Sequence, residues 1–291
     1  MTEKKYELIT DQTIEIDGKT LYRIRALKEF TTAGGTTIHV GDIGGFIEGE
    51  SNLSHSGNAW VYNNACVYGE ACVSDNACVS DKAWVSGNAC VSDNARVSDN
   101  ACVSGKAWVS GNARVCDNAC VSDNARVCDN ACVYDNAYVF GNARVYDNAC
   151  VYDNAYVSGN ARVYDNACVY DNAYVSGNAS VCDNACVYDN ARVSDNARVS
   201  DNARVSGNAR VSGNAQISSN THLLTIGKIG SRSDTITFYR NKDKKISVIC
   251  GCFKGEIDEF LNKVTKTHGE NKHAKVYQKA VELAKLQIDL S

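Results

Sequence analysis

Two cysteines and two histidines near the C-terminus have side chains of the kind that bind metal ions. Cys250 and Cys252 flank Gly251, and His268 and His273 follow further along the chain. Thiolate and imidazole groups are the usual ligands of structural zinc. Their spacing differs from that of standard zinc fingers, and strand alternation places both cysteines on an apolar face, where thiols pack well. The sequence therefore favours core packing over a metal site, and a Cys–His nucleophilic pair lacks a third orienting group.

Most of the chain is a repeat of six residues, and the strands and corners of this repeat must position any other functional side chains. An aliphatic residue recurs at this interval from Val61 to Ile217, which gives 27 repeats without an insertion, and an alanine lies two positions before each one. The consensus is Asn-Ala-x-Val-x-Asp/Gly. Its alternation predicts a short strand with Ala and Val on one face, and Asp/Gly-Asn predicts a corner where Asn and Gly tolerate the left-handed backbone region. Because so short a strand buries little alone, successive strands must stack as a solenoid.

This pattern resembles the hexapeptide-repeat left-handed parallel β-helix, in which three hexapeptides form one triangular coil. The consensus, together with the preceding segment Gly44–Glu48, is similar to the YdcK-like β-solenoid proteins of bacteria and phages. The resemblance implies an all-β solenoid of about nine coils over residues 52–220. It also implies the left-handed sense, which the spacing alone does not fix.

The N-terminal end of the solenoid is expected to be capped, because an exposed coil end presents unpaired strand edges. Residues 1–51 are predicted to form a β cap, with a hairpin turn at Asp17-Gly18. Leu53 and His55 are predicted to occupy the Ala and Val positions of a degenerate first repeat.

Residues 221–291, the C-terminal module, are predicted to have the order ββαα. Strands are expected at Thr235–Tyr239 and Lys245–Phe253, followed by a helix that ends near Gly269 and by a second amphipathic helix. The module carries 13 basic and 8 acidic side chains. Its lysines suit an acidic partner, although a solvated helix face is the commoner reason for such a pattern.

The composition limits the cellular setting and the partners. The 291 residues include no proline and 15 cysteines, and 30 basic against 34 acidic side chains leave a net charge of -4. Because no apolar run suits a signal peptide or a membrane span, we expect a cytoplasmic protein with reduced cysteines and no membrane contact. The near-balanced charge argues against nucleic acid as a partner.

Stacked coils give each wall of a solenoid its own outward columns of residues. One wall carries a cysteine column beside a tyrosine column, together called the cysteine–tyrosine face: Cys132, Tyr134, Cys150, Tyr152, Cys168, Tyr170, Cys186 and Tyr188. Monomers rarely expose so flat an apolar surface, so we expect this face to bind another copy of the chain or a partner. The alternative is that Tyr and Cys simply favour stacked strands. Aspartate columns along the corners are interpreted as solvated turns, since cation sites need more oxygen ligands.

The resemblance also implies an enzymatic alternative, because many hexapeptide β-helices are acyl-CoA-dependent acyltransferases with a histidine base. The 27 repeats contain neither a loop insertion nor a histidine, which leaves His55 and His222 as nearby candidates. We therefore expect a non-catalytic, self-associating scaffold or binding protein without a cofactor. Its C-terminal module is the expected recognition element for a protein or small molecule. Phage-borne relatives imply that the target is a host component, which the protein binds or sequesters.

Overall fold

Two-residue strands follow the six-residue repeat, as the alternation of Ala, x, Val and x predicts. The structure, a computed structural model, describes residues 4–291, which divide into a first unit ending at Gly159 and a second unit, Asn160–Ser291. Each unit contains parallel β-solenoid coils, so the predicted parallel β-solenoid is confirmed. Among the described residues, no helix is long and apolar enough to cross a membrane.

The repeat strands have the same length in both units. In the first unit they are Trp60–Val61, Cys66–Val67, Cys72–Val73, Cys78–Val79, Trp84–Val85, Cys90–Val91, Arg96–Val97, Cys102–Val103, Trp108–Val109, Arg114–Val115, Cys120–Val121, Arg126–Val127, Cys132–Val133, Tyr138–Val139, Arg144–Val145, Cys150–Val151 and Tyr156–Val157. In the second unit they are Arg162–Val163, Cys168–Val169, Tyr174–Val175, Ser180–Val181, Cys186–Val187, Arg192–Val193, Arg198–Val199, Arg204–Val205, Arg210–Val211 and Gln216–Ile217. Successive strands belong to three different walls.

Each wall is held by hydrogen bonds between residues about one coil apart. Val85 lies in parallel register with Val103, 18 residues later, and the N–H of Trp84 donates to the carbonyl oxygen of Ala101 at 2.9 Å. Both valines and the alanine are fully buried. The narrow interior is therefore filled by small and β-branched side chains, and the strands of a wall pair their backbone groups with those of the next coil.

The corners depend on aspartate as much as on asparagine. Asp99 adopts the left-handed backbone region, with φ of 60°, and its Oδ2 accepts the backbone N–H of Asp117 at 3.4 Å. The next residue, Asn100, lies outside that region and donates its side-chain amide to Asn118 at 3.2 Å. The expectation that Asn takes the left-handed position is therefore wrong for this corner. Asp99 takes it, and Asn100 builds an amide ladder between coils.

The N-terminal cap contains the predicted hairpin. Asp17 and Gly18 both have positive φ, as the expected turn requires, and residues 1–3 of the predicted cap lie outside the described part of the chain. The strands and the 3-10 helix of this region are Tyr6–Ile16, Lys19–Ala26, Phe30–Thr31, Thr37–Ile38, Ile43–Ile47 and Glu50–Asn52.

The first coil is two residues longer than the repeat predicts. Leu53 is fully buried and pairs with Val73, so it takes the Val position, and His55 does not. The assignment of Leu53 and His55 to the Ala and Val positions is therefore wrong. The extra residues fall in the corner before Trp60, where the six-residue spacing has not yet begun.

Two residues of the cap satisfy carbonyl groups at the end of the coil. The fully buried Lys5 donates from Nζ to the carbonyl oxygen of Ala59 at 2.8 Å, and the Tyr6 hydroxyl donates to that of Leu53 at 2.7 Å. Burial lowers the pKa of Lys5 to about 8 and raises that of Tyr6. The expected protection of the coil end is thus provided by side chains as well as by strands.

The C-terminal module has four strands instead of the two predicted. They are Leu223–Ile229, Asp234–Arg240, Ile246–Cys250 and Phe253–Glu256, after a 3-10 helix at Asn220–His222 and before the helices Ile257–His268 and Lys272–Gln287. The strands form an antiparallel sheet in chain order. The predicted strand Lys245–Phe253 is interrupted because Gly251 adopts φ of 57° and turns the chain.

The core of the module lies between its sheet and its two helices. Phe238 and Val248 from the sheet pack with Phe260 and Val264 of the first helix and Tyr277 of the second. Within the second unit, the module also joins the last coils through backbone hydrogen bonds, the ion pair between Lys254 and Asp195, and an isolated bridge between Ala215 and Asn241.

Candidate functional site

The cysteine–tyrosine face uses the outward positions on both sides of each buried valine. In the first unit, Cys132 lies in register with Cys150, and the rings of Tyr134 and Tyr152 stack with centroids 4.9 Å apart and planes 1° apart. All four side chains are partly exposed. This part of the face is therefore a flat patch of thiols and parallel phenol rings.

The second unit repeats the same arrangement. Cys168 lies in register with Cys186, and the rings of Tyr170 and Tyr188 stack at 5.0 Å with planes 2° apart. Burial is the main cause that raises the pKa of both Cys186 and Tyr170, so both groups are neutral at pH 7. The outward columns here combine apolar area with little charge.

The thiol of Cys132 is more acidic than an ordinary cysteine thiol. A hydrogen bond from the Cys150 thiol favours the thiolate of Cys132 and lowers its pKa, with a smaller effect from the charge of Arg114. Because the thiolate is the nucleophilic form, Cys132 is expected to react with alkylating reagents. Cys132 therefore offers a chemical probe of whether the face is covered.

The corner aspartates beside this face accept hydrogen bonds from the backbone of the next coil. The N–H of Asp135 donates to Asp117 Oδ2, and the N–H of Asp153 donates to Asp135 Oδ2, each at 3.4 Å. Each of these carboxylates thus holds the next coil. This geometry gives a structural reason for the aspartate columns and fits their interpretation as turns.

Three metal-ligand groups converge at one corner of the described chain. Ligand atoms of Asp165, Cys182 and Asp183 lie within 4.8 Å of one another. Asp183 Oδ2 accepts from the Cys182 thiol at 3.1 Å and from the N–H of Asp201 at 3.2 Å, and Asp165 Oδ2 accepts the N–H of Asp183 at 3.3 Å. These carboxylate oxygens accept backbone N–H groups as the other corner aspartates do. We therefore interpret the three residues as part of the turn and not as a metal site.

The four metal-ligand candidates of the module have different environments. Cys250 packs against the module core, and its Sγ lies 3.9 Å from Tyr277 Oη, whereas Cys252 is exposed in the turn. The prediction that both cysteines share one face is therefore wrong, because the turn at Gly251 separates them. The rings of His268 and His273 approach to 5.8 Å.

The module contains a cavity of about 220 Å³ that the sequence does not predict. Cys250, Cys252 and His268 line it together with Phe260 and Tyr277. The two aromatic residues follow the apolar stripes of the helices and so indicate core packing in the sequence. Their part in a cavity depends on the hairpin turn, which no helical pattern reveals.

The first histidine candidate for catalysis, His55, is held by three neighbours. Its ring stacks on Tyr6 with centroids 4.3 Å apart, Nδ1 accepts the backbone N–H of Lys5 at 3.1 Å, and Nε2 lies 3.5 Å from Glu50 Oε2. The Nδ1 lone pair is thus occupied by backbone, and the other nitrogen faces a carboxylate of the cap.

The second histidine candidate, His222, is 6% exposed. Its Nδ1 accepts the backbone N–H of Ser218 at 3.2 Å, and burial lowers the pKa of the imidazole. The Nδ1 lone pair of His222 is therefore also occupied by a backbone N–H. Since a neutral imidazole has one acceptor nitrogen, neither histidine is well placed to act as a general base.

Comparison with known proteins identifies the repeat. A family model described as the YdcK beta solenoid repeat matches residues 95–111, 185–201, 191–206 and 203–219. No curated protein matches the chain. The matched stretches lie in the repeat strands of both units, whose parallel coils agree with a β-solenoid. The chain is a YdcK-like β-solenoid repeat protein.

Proposed function

We propose that the protein is a non-catalytic scaffold that self-associates through the cysteine–tyrosine face. The observation that carries the proposal is the pair of tyrosine stacks, Tyr134 on Tyr152 and Tyr170 on Tyr188, with parallel rings on partly exposed columns. Aromatic side chains supply large contact areas and are enriched at protein interfaces. A second copy of the chain is the proposed occupant, because the flat patch of each unit can meet the same patch of another copy across a twofold axis.

The chemistry of the columns supports this occupant. The Cys and Tyr columns themselves contain no lysine, arginine or acidic residue between Cys132 and Tyr188, and the Asp residues between them belong to the corners. Burying such columns therefore desolvates few charges, which is the usual condition at the centre of an interface. The bordering arginines, Arg114 and Arg204, continue the cysteine column at its two ends and suit a polar rim.

The alternative function is acyl-CoA-dependent acyl transfer. It requires a histidine that accepts a proton from the substrate, and both candidate histidines instead accept a backbone N–H at Nδ1. Saturable binding of acetyl-CoA in calorimetry, together with loss of turnover in His55→Ala or His222→Ala, would favour this alternative over the scaffold.

The finer parts of the proposal concern setting and target. We place the protein in the cytoplasm and assign recognition of a protein or small molecule to the C-terminal module. We further propose a host component as the target, bound or sequestered on the scaffold, as the resemblance to YdcK-like β-solenoid proteins of bacteria and phages implies. The basic balance of the module, with 13 basic and 8 acidic side chains, favours an acidic target.

Sedimentation velocity under reducing conditions tests self-association. The Tyr152→Asp, Tyr170→Asp double variant should sediment as a monomer, because two charges would be buried at the interface. The matched control is Tyr138→Asp with Tyr174→Asp, which changes two exposed tyrosines of another wall and should keep the mass of the native protein. Equal melting temperatures would show that both variants fold. An unchanged oligomer in the first variant would exclude this face as the interface.

A further inference from the structure

The C-terminal module contains a cavity that the scaffold does not need. Its volume is about 220 Å³, and it lies within the second unit. The turn after Cys250 and the strand beginning at Asp234 form one side, and the last turns of helix Ile257–His268 form the other, with Tyr277 from the second helix. The cavity is therefore assembled from elements distant in sequence and is part of the module fold.

The inner surface of the cavity is apolar and aromatic. The Phe260 ring lies 5.3 Å from the Phe253 ring at a tilt of 51°, and 5.4 Å from the Tyr277 ring in an edge-to-face arrangement. Cys250 adds a thiol that burial keeps in its neutral form, since its pKa is raised. Such a floor suits a flat apolar group of a ligand.

The rim of the cavity carries positive charge. Lys263 and Arg232 both line it, and Lys263 Nζ lies 5.5 Å from the centroid of the Phe253 ring. Within residues 4–291, neither cation has a carboxylate within 4.0 Å. The acidic residue of the rim, Asp234, uses Oδ1 to accept the N–H of Thr235 at 2.7 Å. Two cations thus border an aromatic pocket without an ion-pair partner.

We propose that this cavity binds a small organic anion, a carboxylate attached to an apolar ring. The ring would lie against Phe260 and Tyr277, and the carboxylate would meet Lys263 and Arg232 at the rim. The volume is below the 300–1,000 Å³ usual for drug-sized ligands, which limits the ligand to about one ring and a short chain. Charge-assisted hydrogen bonds from Lys and Arg supply the preference for the anion.

This inference rests on the proposed recognition role of the module and is independent of the cysteine–tyrosine face. The ligand contacts come from residues of the module alone. Failure of self-association would therefore leave the binding prediction intact, and failure of binding would leave the predicted oligomer intact. The two results are separable, because one is read from mass and the other from heat of binding.

Calorimetry with three probes of one size tests the proposal on the full chain. The probes are 3-phenylpropionate, 3-phenylpropan-1-ol and 3-phenylpropylamine, which share the ring and differ in charge. We expect saturable binding of the carboxylate, binding of the alcohol that is weaker by about tenfold, and no binding of the amine. Equal affinity for carboxylate and alcohol, or no saturable binding of the carboxylate, would overturn the proposal.

Three variants separate the cavity from the rest of the basic surface. Lys263→Gln should lower the affinity for 3-phenylpropionate by about tenfold and leave the affinity for the alcohol unchanged, because it removes one charge from the rim. Thr267→Trp should abolish binding of both by placing a ring across the cavity. Lys266→Gln is the matched control, since this exposed lysine of the same helix does not line the cavity. Loss of binding in the Lys266 variant equal to that of the Lys263 variant would contradict the assigned site.

Discussion

The repeat walls and the C-terminal module bury their valines by different means. Val193 of a wall is buried because its place in the six-residue repeat turns it inward, between Val175 and Val211 of the same column. Val264 of the module is buried because a helix face meets a sheet built from other parts of the chain. In the walls, position in the repeat determines the environment of a side chain. In the module, tertiary packing determines it.

The largest expected effect breaks the repeat from inside. Val193→Asp buries a carboxylate in an interior of Val and Ala, where it has no polar partner. We therefore expect the free energy of unfolding to fall by about 4 kcal/mol, or the variant not to fold. Arg192→Asp, one position away on the outer surface, should stay within about 0.5 kcal/mol. Urea denaturation followed by circular dichroism measures both. Similar losses in the two variants would contradict the alternation of inward and outward positions.

The next effect belongs to the module. Phe260 is 4% exposed at the centre of the module core, so Phe260→Ala should cost about 3–4 kcal/mol through lost burial and a cavity. Hydrogen exchange should show faster opening of the strand Ile246–Cys250, with unchanged protection in the repeat strands of the first unit. Lys266→Ala on the exposed side of the same helix serves as control. Uniform acceleration over both regions would show that the module is not stabilised separately.

A matched pair of glycines sharpens the account of the corners. Gly105 and Gly207 have nearly equal positive φ, 66° and 65°, but an added Cβ at Gly105 would meet the backbone nitrogen of Asp123 at 2.8 Å, while at Gly207 it meets nothing within 4 Å. Gly207→Ala should therefore cost about 1 kcal/mol of backbone strain, and Gly105→Ala about 2 kcal/mol or more. Thermal unfolding measures the difference. Equal losses would mean that close stacking of coils adds nothing to the glycine requirement.

The smallest effect is a pH dependence where the module meets the last coils within the second unit. Lys254 Nζ lies 2.5 Å from Asp195 Oδ2, and this hydrogen bond is the main cause that lowers the pKa of Asp195. Because the folded pKa is depressed, the stabilisation is present above the unfolded pKa of about 4 and is lost as pH falls through the folded pKa. Both side chains are half exposed, so about 0.5 kcal/mol is expected. Lys254→Gln should remove this part of the acid dependence, whereas Lys245→Gln, at a pair within the module, should leave it.

The structure of the walls could be predicted from the sequence, because the repeat fixes the position of each residue there. The buried valines, the outward columns and the antiparallel hairpin at Asp17-Gly18 all follow from local patterns. The role of aspartate in the corners was missed, since its side-chain hydrogen bond joins residues 18 positions apart, as from Asp117 to Asp99. A local pattern does not show that partner.

For the same reason, one of the two candidate sites could be predicted from the sequence and the other could not. The columns of the cysteine–tyrosine face follow from spacing once the coil length is known. The cavity of the module does not, because Gly251 turns the predicted strand Lys245–Phe253 into a hairpin, and Cys250 of this hairpin lies near Tyr277. The extra residues before Trp60 likewise shift Leu53 into the place expected for His55. Each difference arises where one turn changes the register of the neighbouring residues.

A native mass spectrum of the reduced protein tests the central claim of self-association most directly. We predict a species that contains two or more copies of the 31.4 kDa chain at micromolar concentration. Alkylation of Cys132 should be slow in that species and faster after dilution, because the interface covers the face. A spectrum that contains the 31.4 kDa chain alone, with Cys132 alkylated at one rate throughout, would contradict the scaffold proposal.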